Sequence, residues 1–230
     1  MNTLTVIVPF YNEEKYLEKS VNRLLKYNIF KNILLIDNNS NDNSNKIAEN
    51  LSKLSENVTL VRTENIPGKG VAIAKAKEYV STSHVIIHDA DLEYFPQDIL
   101  KMWDVSIENE KSLILGSRFI GNKTRKNIYL RTYLANKFMS LFFSMVNFYK
   151  ISDVSSCYKL LPSDVFKDIS FKEKGFSIEI EILSKFLKYN RSVIEIPISY
   201  EGRTYNEGKK IKTVDGLLYL FNTLKYRFLD

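Results

Sequence analysis

Cysteine is nearly missing from this sequence: Cys157 is the only one in 230 residues. No intrachain disulfide can form, and neither a paired-cysteine zinc site nor a disulfide-stapled secreted scaffold can be built. A reducing, cytosolic setting is expected. Histidine is almost as scarce, with His84 and His88 alone. Two imidazoles flanking one apolar run need further partners to hold a metal, so structural roles are the simpler expectation. No run reaches the ~18 consecutive apolar residues of a spanning helix. The nearest, FMSLFFSMVNFY over 138–149, is short and follows Lys137. It reads as a buried helix or as one lying on a membrane surface. Met1 runs straight into LTVIVPF, so no export signal is expected. Internal repeats, low-complexity tracts and Gly/Pro-rich linkers are also lacking, and one continuous domain over 1–230 is expected.

What is present suits a folded chain with a sizeable core: 44% of the residues are hydrophobic and 13% aromatic. The formal net charge is +6, and the basic residues concentrate in Lys123 to Arg131 and Arg203 to Lys212. Such patches suit nucleotides, anionic lipid or nucleic acid, or they are merely solvated faces. In the first half, short apolar runs (4–9, 32–37, 58–62, 84–89 and 112–118) alternate with helical patterns (15–27, 43–54, 70–80 and 96–108). Val/Ile/Leu-rich runs alternating with helices predict an α/β fold with a mostly parallel central sheet flanked by helices. The second half predicts a long helix over 131–148, a strand CYKLLP, a helix over 177–189, a strand SVIEIPISY and a last helix over 214–228.

Ligands of open α/β sheets bind beyond the carboxyl ends of the strands. Here those ends read PFYNEE, DNNSNDNS, HDADLE and GSRF, although Asn, Asp and Ser clusters also serve as ordinary turns. HDADLE is the strongest. Asp89 and Asp91 are two apart and project from one side of an extended chain, with Glu93 able to join them. Like charges so close repel unless a cation lies between them, and a hard divalent ion, Mg²⁺ or Mn²⁺, suits carboxylates and substrate phosphates. A loop cap is the plainer reading.

In this order, VIVPFYNEE, LLIDNNSND, PGKG, HDADLE, GSRF and GRTYNEGKK resemble the family 2 inverting glycosyltransferases of the GT-A fold, most closely the dolichyl/polyprenyl-phosphate sugar synthases. The likeness covers almost the whole chain. It implies a single GT-A catalytic domain, with 1–118 as the nucleotide-sugar-binding half and 119–230 as the acceptor half ending in an amphipathic helix. It implies a D-x-D motif in which Asp89 and Asp91, with Glu93, hold the metal, and in which Ala90 lies on the donor. Pro9, Tyr11, Asn12, Glu13 and Asp37 match positions that cradle the base and ribose. The commoner D-D-G-S is replaced here by DNNS, which bears on Asn38 and Asn39. Lys69 fits a loop residue touching the nucleotide, with Gly68 and Gly70 letting the backbone come close; without the family, PGKG is a tight turn before a helix. Arg203, with Lys209 or Lys210, matches a basic segment closing over the diphosphate between hinges at Gly202 and Gly208.

Arg118 and Arg131 match positions that bind the phosphate of a lipid acceptor. A phosphate monoester has its second pKa near ~6 and arrives ionised, so it needs cations and no general base. A sugar hydroxyl would need a carboxylate within reach, and Asp153, Glu179 and Glu181 are candidates. The reading is therefore a metal-dependent hexosyltransferase taking a UDP- or GDP-linked sugar to polyprenyl or dolichyl phosphate, peripheral at the cytosolic membrane face or anchored by a membrane protein. The alternative is a family 2 enzyme acting on a sugar hydroxyl of a surface polysaccharide. A sugar-nucleotide pyrophosphorylase would want G-x-G-x-R after the first strand. A nucleic-acid module would leave the crevice carboxylates unexplained, and no nucleic-acid partner is expected.

Overall fold

The apolar runs of the first half become strands because their Val, Ile and Leu side chains are buried on both faces, which only a covered parallel sheet allows. The computed structural model describes residues 2–63, 67–189, 192–203 and 213–230. The chain runs β1 (Leu4–Phe10), α1 (Leu17–Leu24), β2 (Phe30–Asp37), α2 (Ser44–Leu54), β3 (Val58–Arg62), α3 (Lys69–Ala76), β4 (His84–Ile87), α4 (Pro96–Glu108) and β5 (Leu113–Ser117). It continues through β6 (Arg125–Lys126), α5 (Leu130–Asn147), β7 (Lys159–Pro162), α6 (Ser163–Asp168), α7 (Ile178–Lys188), β8 (Val193–Pro197), β9 (Tyr200–Glu201) and α8 (Thr213–Phe228).

Seven strands form one sheet in the order β3-β2-β1-β4-β7-β5-β8. All its pairings are parallel except those of β7, which runs antiparallel to both β4 and β5. Strand order climbs from β1 to β3 on one side and resumes with β4 on the other, so the switch point falls between β1 and β4, where a crevice opens beyond the strand ends. The amphipathic helices supply the outer layers. α1 buries Leu17, Ser20, Val21 and Leu24, the i, i+3, i+4, i+7 pattern of one helical face, and α4 starts with Pro96 in its first turn and buries Ile99, Met102 and Trp103.

Three features differ from the sequence pattern. The expected strand over 192–200 is split: β8 stays in the main sheet, and β9 pairs with β6 in a second, two-stranded sheet. The break follows from Ser199, whose backbone N–H donates to buried Asp98 Oδ2 at 2.7 Å instead of to the ladder. The helix expected to reach residue 80 ends at Ala76 and tightens into a 3₁₀ turn over Lys77–Tyr79. The short helix α6, directly after Pro162, carries too few residues for a periodic signal.

Gly68 is required by contact as well as by conformation, and Gly70 by contact. Gly68 has φ of +149°, and a Cβ there would lie 2.1 Å from the Lys174 carbonyl oxygen. A Cβ on Gly70 would lie 2.0 Å from the Glu173 oxygen, while Gly70 N–H donates to Lys174 O at 2.8 Å. These are backbone atoms that cannot step aside. Gly70→Ala should therefore lower the unfolding free energy by about 1–3 kcal/mol, read as a shifted urea midpoint with an unchanged slope.

Candidate active site

The loops after β1 and β2 are knitted by Asn, Ser and Asp side chains. Asn12 accepts from Asn41 N–H at 2.8 Å, its own N–H donates to Ser40 Oγ at 3.1 Å, and Glu13 N–H donates to Ser44 Oγ at 2.8 Å. Asp37, buried at the end of β2, accepts Ser40 N–H at 2.9 Å and Asn45 Nδ2 at 2.7 Å. Asn12, Asn39 and Leu92 have φ of +51°, +63° and +66°, so left-handed residues lie just beyond β1, β2 and β4. Such strain clusters at ligand sites. Asn39 stands where the commoner motif has glycine and keeps glycine's conformation, which asparagine tolerates better than most residues. Asn38 is buried, and its Oδ1 accepts Gly68 N–H at 3.0 Å, tying the second loop to the start of α3.

After β4 the acidic residues are neutralised separately. Asp89 lies 2.7 Å from Lys69 Nζ. Burial pushes its carboxyl up, but the Lys69 ammonium overrides this and holds the pKa below the ordinary value. Arg203 spans the others: its Nη1 and Nη2 reach Glu13 at 3.1 and 3.3 Å, Nη2 reaches Asp91 at 3.1 Å, and its backbone N–H donates to Glu93 at 2.7 Å. The Tyr16 ring lies 5.4 Å beneath its guanidinium, and Tyr200 OH donates to Glu93 at 2.6 Å. One guanidinium does not balance three carboxylates. Burial first, then the like charges of Glu93 and Asp89, push Asp91 up to about 8 against the opposing pull of Arg203. The oxygen-only donors and surplus negative charge fit a hard divalent cation. In this arrangement Lys69 and Arg203 supply the positive charge, and among the described residues no three His, Cys, Asp or Glu side chains are grouped to hold a metal ion.

The carboxylates expected on the acceptor side are all engaged. Lys69 Nζ also lies 2.8 Å from Glu179, whose other oxygen pairs at 2.5 Å with fully buried Lys159. Glu181 accepts Lys172 N–H at 2.8 Å and Glu173 N–H at 2.9 Å and pairs with Lys185 at 2.8 Å. Asp153 receives Arg118 Nε and Nη2 at 2.7 Å each and Arg118 N–H at 2.9 Å. Arg118 is thus buried against Asp153, 5.0 Å over the Tyr200 ring, whereas Arg131 is exposed on the first turn of α5.

The structure brings Glu13, Asp91, Glu93 and Arg203 into one cluster and Lys69, Asp89 and Glu179 into a second. Pro9, the penultimate residue of β1, lies beside Ile36. Tyr11 is partly exposed beyond it, and Ala90 is buried between Asp89 and Asp91. Lys209, Lys210 and Gly208 lie outside the described residues. Tyr16, Tyr200 and Lys159 were not singled out from the sequence. A lone lysine inside the apolar CYKLLP was the available signal for Lys159; the two tyrosines gave none. His88 is a core residue, bonded to Ser20 Oγ at 3.1 Å and Tyr158 OH at 2.9 Å, and His84 packs edge-on against Trp103. Cys157 is buried, its thiol pushed well up by that burial.

A nucleotide-type α/β sheet with charged strand ends at its switch point defines an enzyme class that binds its ligand in that crevice. Residues 5–170 match the model of glycosyl transferase family 2, and the chain belongs to that family: it is a glycosyltransferase. It is 27% identical to the UDP-N-acetylglucosamine--dolichyl-phosphate N-acetylglucosaminyltransferase of Methanococcus voltae, over 95% of this chain and 94% of that one. It is also 27% identical to the dolichol-phosphate mannosyltransferase of Pyrococcus furiosus, over 97% of this chain and 64% of that one. Glucosyl-3-phosphoglycerate synthase of Mycobacterium tuberculosis, solved with Mn²⁺, UDP-glucose and phosphoglyceric acid, superposes with a TM-score of 0.73 at 15% identity, covering 98% of this chain and 79% of that one. The architecture is the GT-A fold.

Two measurements follow from the buried charges. Arg118→Ala and Asp153→Ala each leave an uncompensated charge and should cost about 3–5 kcal/mol. The double variant should lose less than their sum, read as a coupling energy in urea unfolding. Burial lowers the His88 pKa to about 4, below the unfolded value near ~6.5. The neutral ring thus contributes stability above that pH, lost as pH falls, roughly 3 kcal/mol at most. His88→Gln should flatten the fall of unfolding free energy between these two pH values.

Proposed function

We propose that this family 2 enzyme transfers a hexose from a UDP- or GDP-linked donor to a polyprenyl or dolichyl phosphate, with inversion, at the cytosolic face of a membrane. The observation that carries the acceptor reading is that Asp153, Glu179 and Glu181 are all held by cations or backbone amides. None of the three is left as a general base for a hydroxyl. A phosphate oxyanion needs none. The two dolichyl-phosphate transferases similar to most of this chain support the same choice.

In this reading Asp89, Asp91 and Glu93, which Lys69 and Arg203 neutralise in this arrangement, would hold Mg²⁺ or Mn²⁺, and the ion would offset charge on the leaving diphosphate. Pro9, Tyr11, Asn12, Glu13, Asp37 and Asn39 line the base and ribose, while Lys69 and Ala90 lie along the donor. Arg203 exchanges its carboxylates for the diphosphate, to which its planar fork is equally suited, and Lys210 joins it. Arg131 offers its fork to the acceptor phosphate; Arg118 reaches that phosphate only if its pair with Asp153 changes. The oxyanion attacks the anomeric carbon, the bond to the diphosphate oxygen breaks, and single displacement inverts the centre.

The test is transfer of label from UDP- and GDP-sugars to a short polyprenyl phosphate, counted in organic solvent. Label in that phase should be lost with EDTA and with Asp91→Asn. Arg131→Ala should raise the acceptor KM at least about tenfold, the size of one charge-assisted contact, and leave the urea midpoint unchanged. Donor hydrolysis without organic label would move the search to sugar hydroxyls.

A further inference from the structure

α5 is apolar on two faces and the fold uses one of them. Met139 and Phe143 are buried in the core, while Leu130, Leu134, Phe138, Leu141, Met145 and Phe148 form an exposed stripe at helical spacing. Phe148 ends the helix in a left-handed conformation and is 86% exposed. α8, packed against α5, repeats the arrangement: Tyr219 and Tyr226 face inward, and Leu217, Leu218, Phe221, Leu224, Phe228 and Leu229 face out. Among the described residues, two-thirds of the exposed large hydrophobic side chains thus fall on one helix pair and its ends. Apolar surface exposed on that scale marks a contact.

Charge narrows the kind of contact. From Lys111 to Ser152 the chain has no Asp or Glu and eight Lys or Arg; Arg125, before α5, Arg131 in its first turn and Lys150 just after it are exposed, while Lys123 and Lys126 pair with Asp98 and Glu201. A second copy would bring like charge against like, whereas an anionic lipid surface complements it. Apolar side chains facing out with basic residues at the rim make an interfacial helix.

Both helices are also bonded to the crevice walls. On α5, Asn136 Oδ1 accepts from Ser155 Oγ at 2.9 Å, and Ser155 accepts from Arg118 at 3.0 Å. On α8, Tyr219 OH donates to Phe176 O at 2.9 Å, and Tyr226 OH to Glu173 at 2.5 Å, fixing the segment whose backbone packs on Gly68 and Gly70. We propose that the α5–α8 face docks on an anionic lipid surface and seats the crevice beside it. The choice of lipid rests on the lipid-phosphate reading above.

The test is co-sedimentation of the full chain with phosphatidylcholine vesicles, with and without an anionic phospholipid. Binding should need the anionic lipid and weaken with salt. The pairs Phe138→Gln with Leu141→Gln, and Leu217→Gln with Phe221→Gln, should each cut partitioning at least about tenfold. Transfer to a short prenyl phosphate in detergent should change less than about twofold, because no bilayer is needed there. Wild-type protein that ignores anionic vesicles, or variants that bind as well as wild type, would overturn the proposal. So would a dimer in analytical ultracentrifugation that these substitutions disperse, since a second copy would then cover the face. Vesicle binding lost in the variants, with no label ever reaching prenyl phosphate, would uphold the docking face and sink the acceptor reading instead.

Discussion

Crowding of like charge at the end of a buried strand is the constraint around which the rest of this protein is arranged. Glu13, Asp89, Asp91 and Glu93 converge at the switch point from two loops, and the interior cannot hold them unpaired. Lys69 and Arg203 resolve the repulsion from opposite sides: Lys69 from the first residue of α3, and Arg203 from the segment after β9. Each cation in turn needs its own support. Gly68 and Gly70 bring the start of α3 against the 173–174 backbone, and β9, paired to β6 and bonded through Glu201 N–H to Glu93 O, brings Arg203 over the acids. The loops beyond the sheet are therefore consequences of where positive charge has to stand.

The same arrangement explains why the site combines strain with order. Left-handed residues at Asn12, Asn39 and Leu92 turn the chain sharply beyond three strands, and side-chain hydrogen bonds from Ser40, Ser44 and Asp37 over-determine the loops that carry two of them. Loops held this way by the chain's own hydrogen bonds need little further ordering, which reduces the ordering cost of binding.

Much of the fold was legible in the sequence because burial on both faces of a parallel sheet leaves continuous apolar runs, and the acids after them mark the switch point. The motif order carried the family. The pairings themselves were not legible. The resemblance puts Asp153, Glu179 and Glu181 on the acceptor side, but only the tertiary structure shows each already engaged by a cation or an amide. Arg118 reads as a phosphate ligand until its partner is seen. Tyr200 gives no signal because a tyrosine in a strand is ordinary core chemistry, and the split of 192–200 into two strands depends on Asp98, about a hundred residues away in the chain. DNNS reads as a departure from the family pattern, whereas the backbone at Asn39 preserves the geometry that glycine would supply.

The contact between Gly70 and the 173–174 backbone also has an asymmetric effect on mutational tolerance. The near atoms on the far side are main-chain atoms, which every residue type possesses. Position 174 can thus exchange its side chain without altering that contact, while position 70 accepts nothing larger than hydrogen. A library randomised at both would return glycine at one and broad variety at the other, and covariation between the two would be absent although their backbones are hydrogen-bonded neighbours.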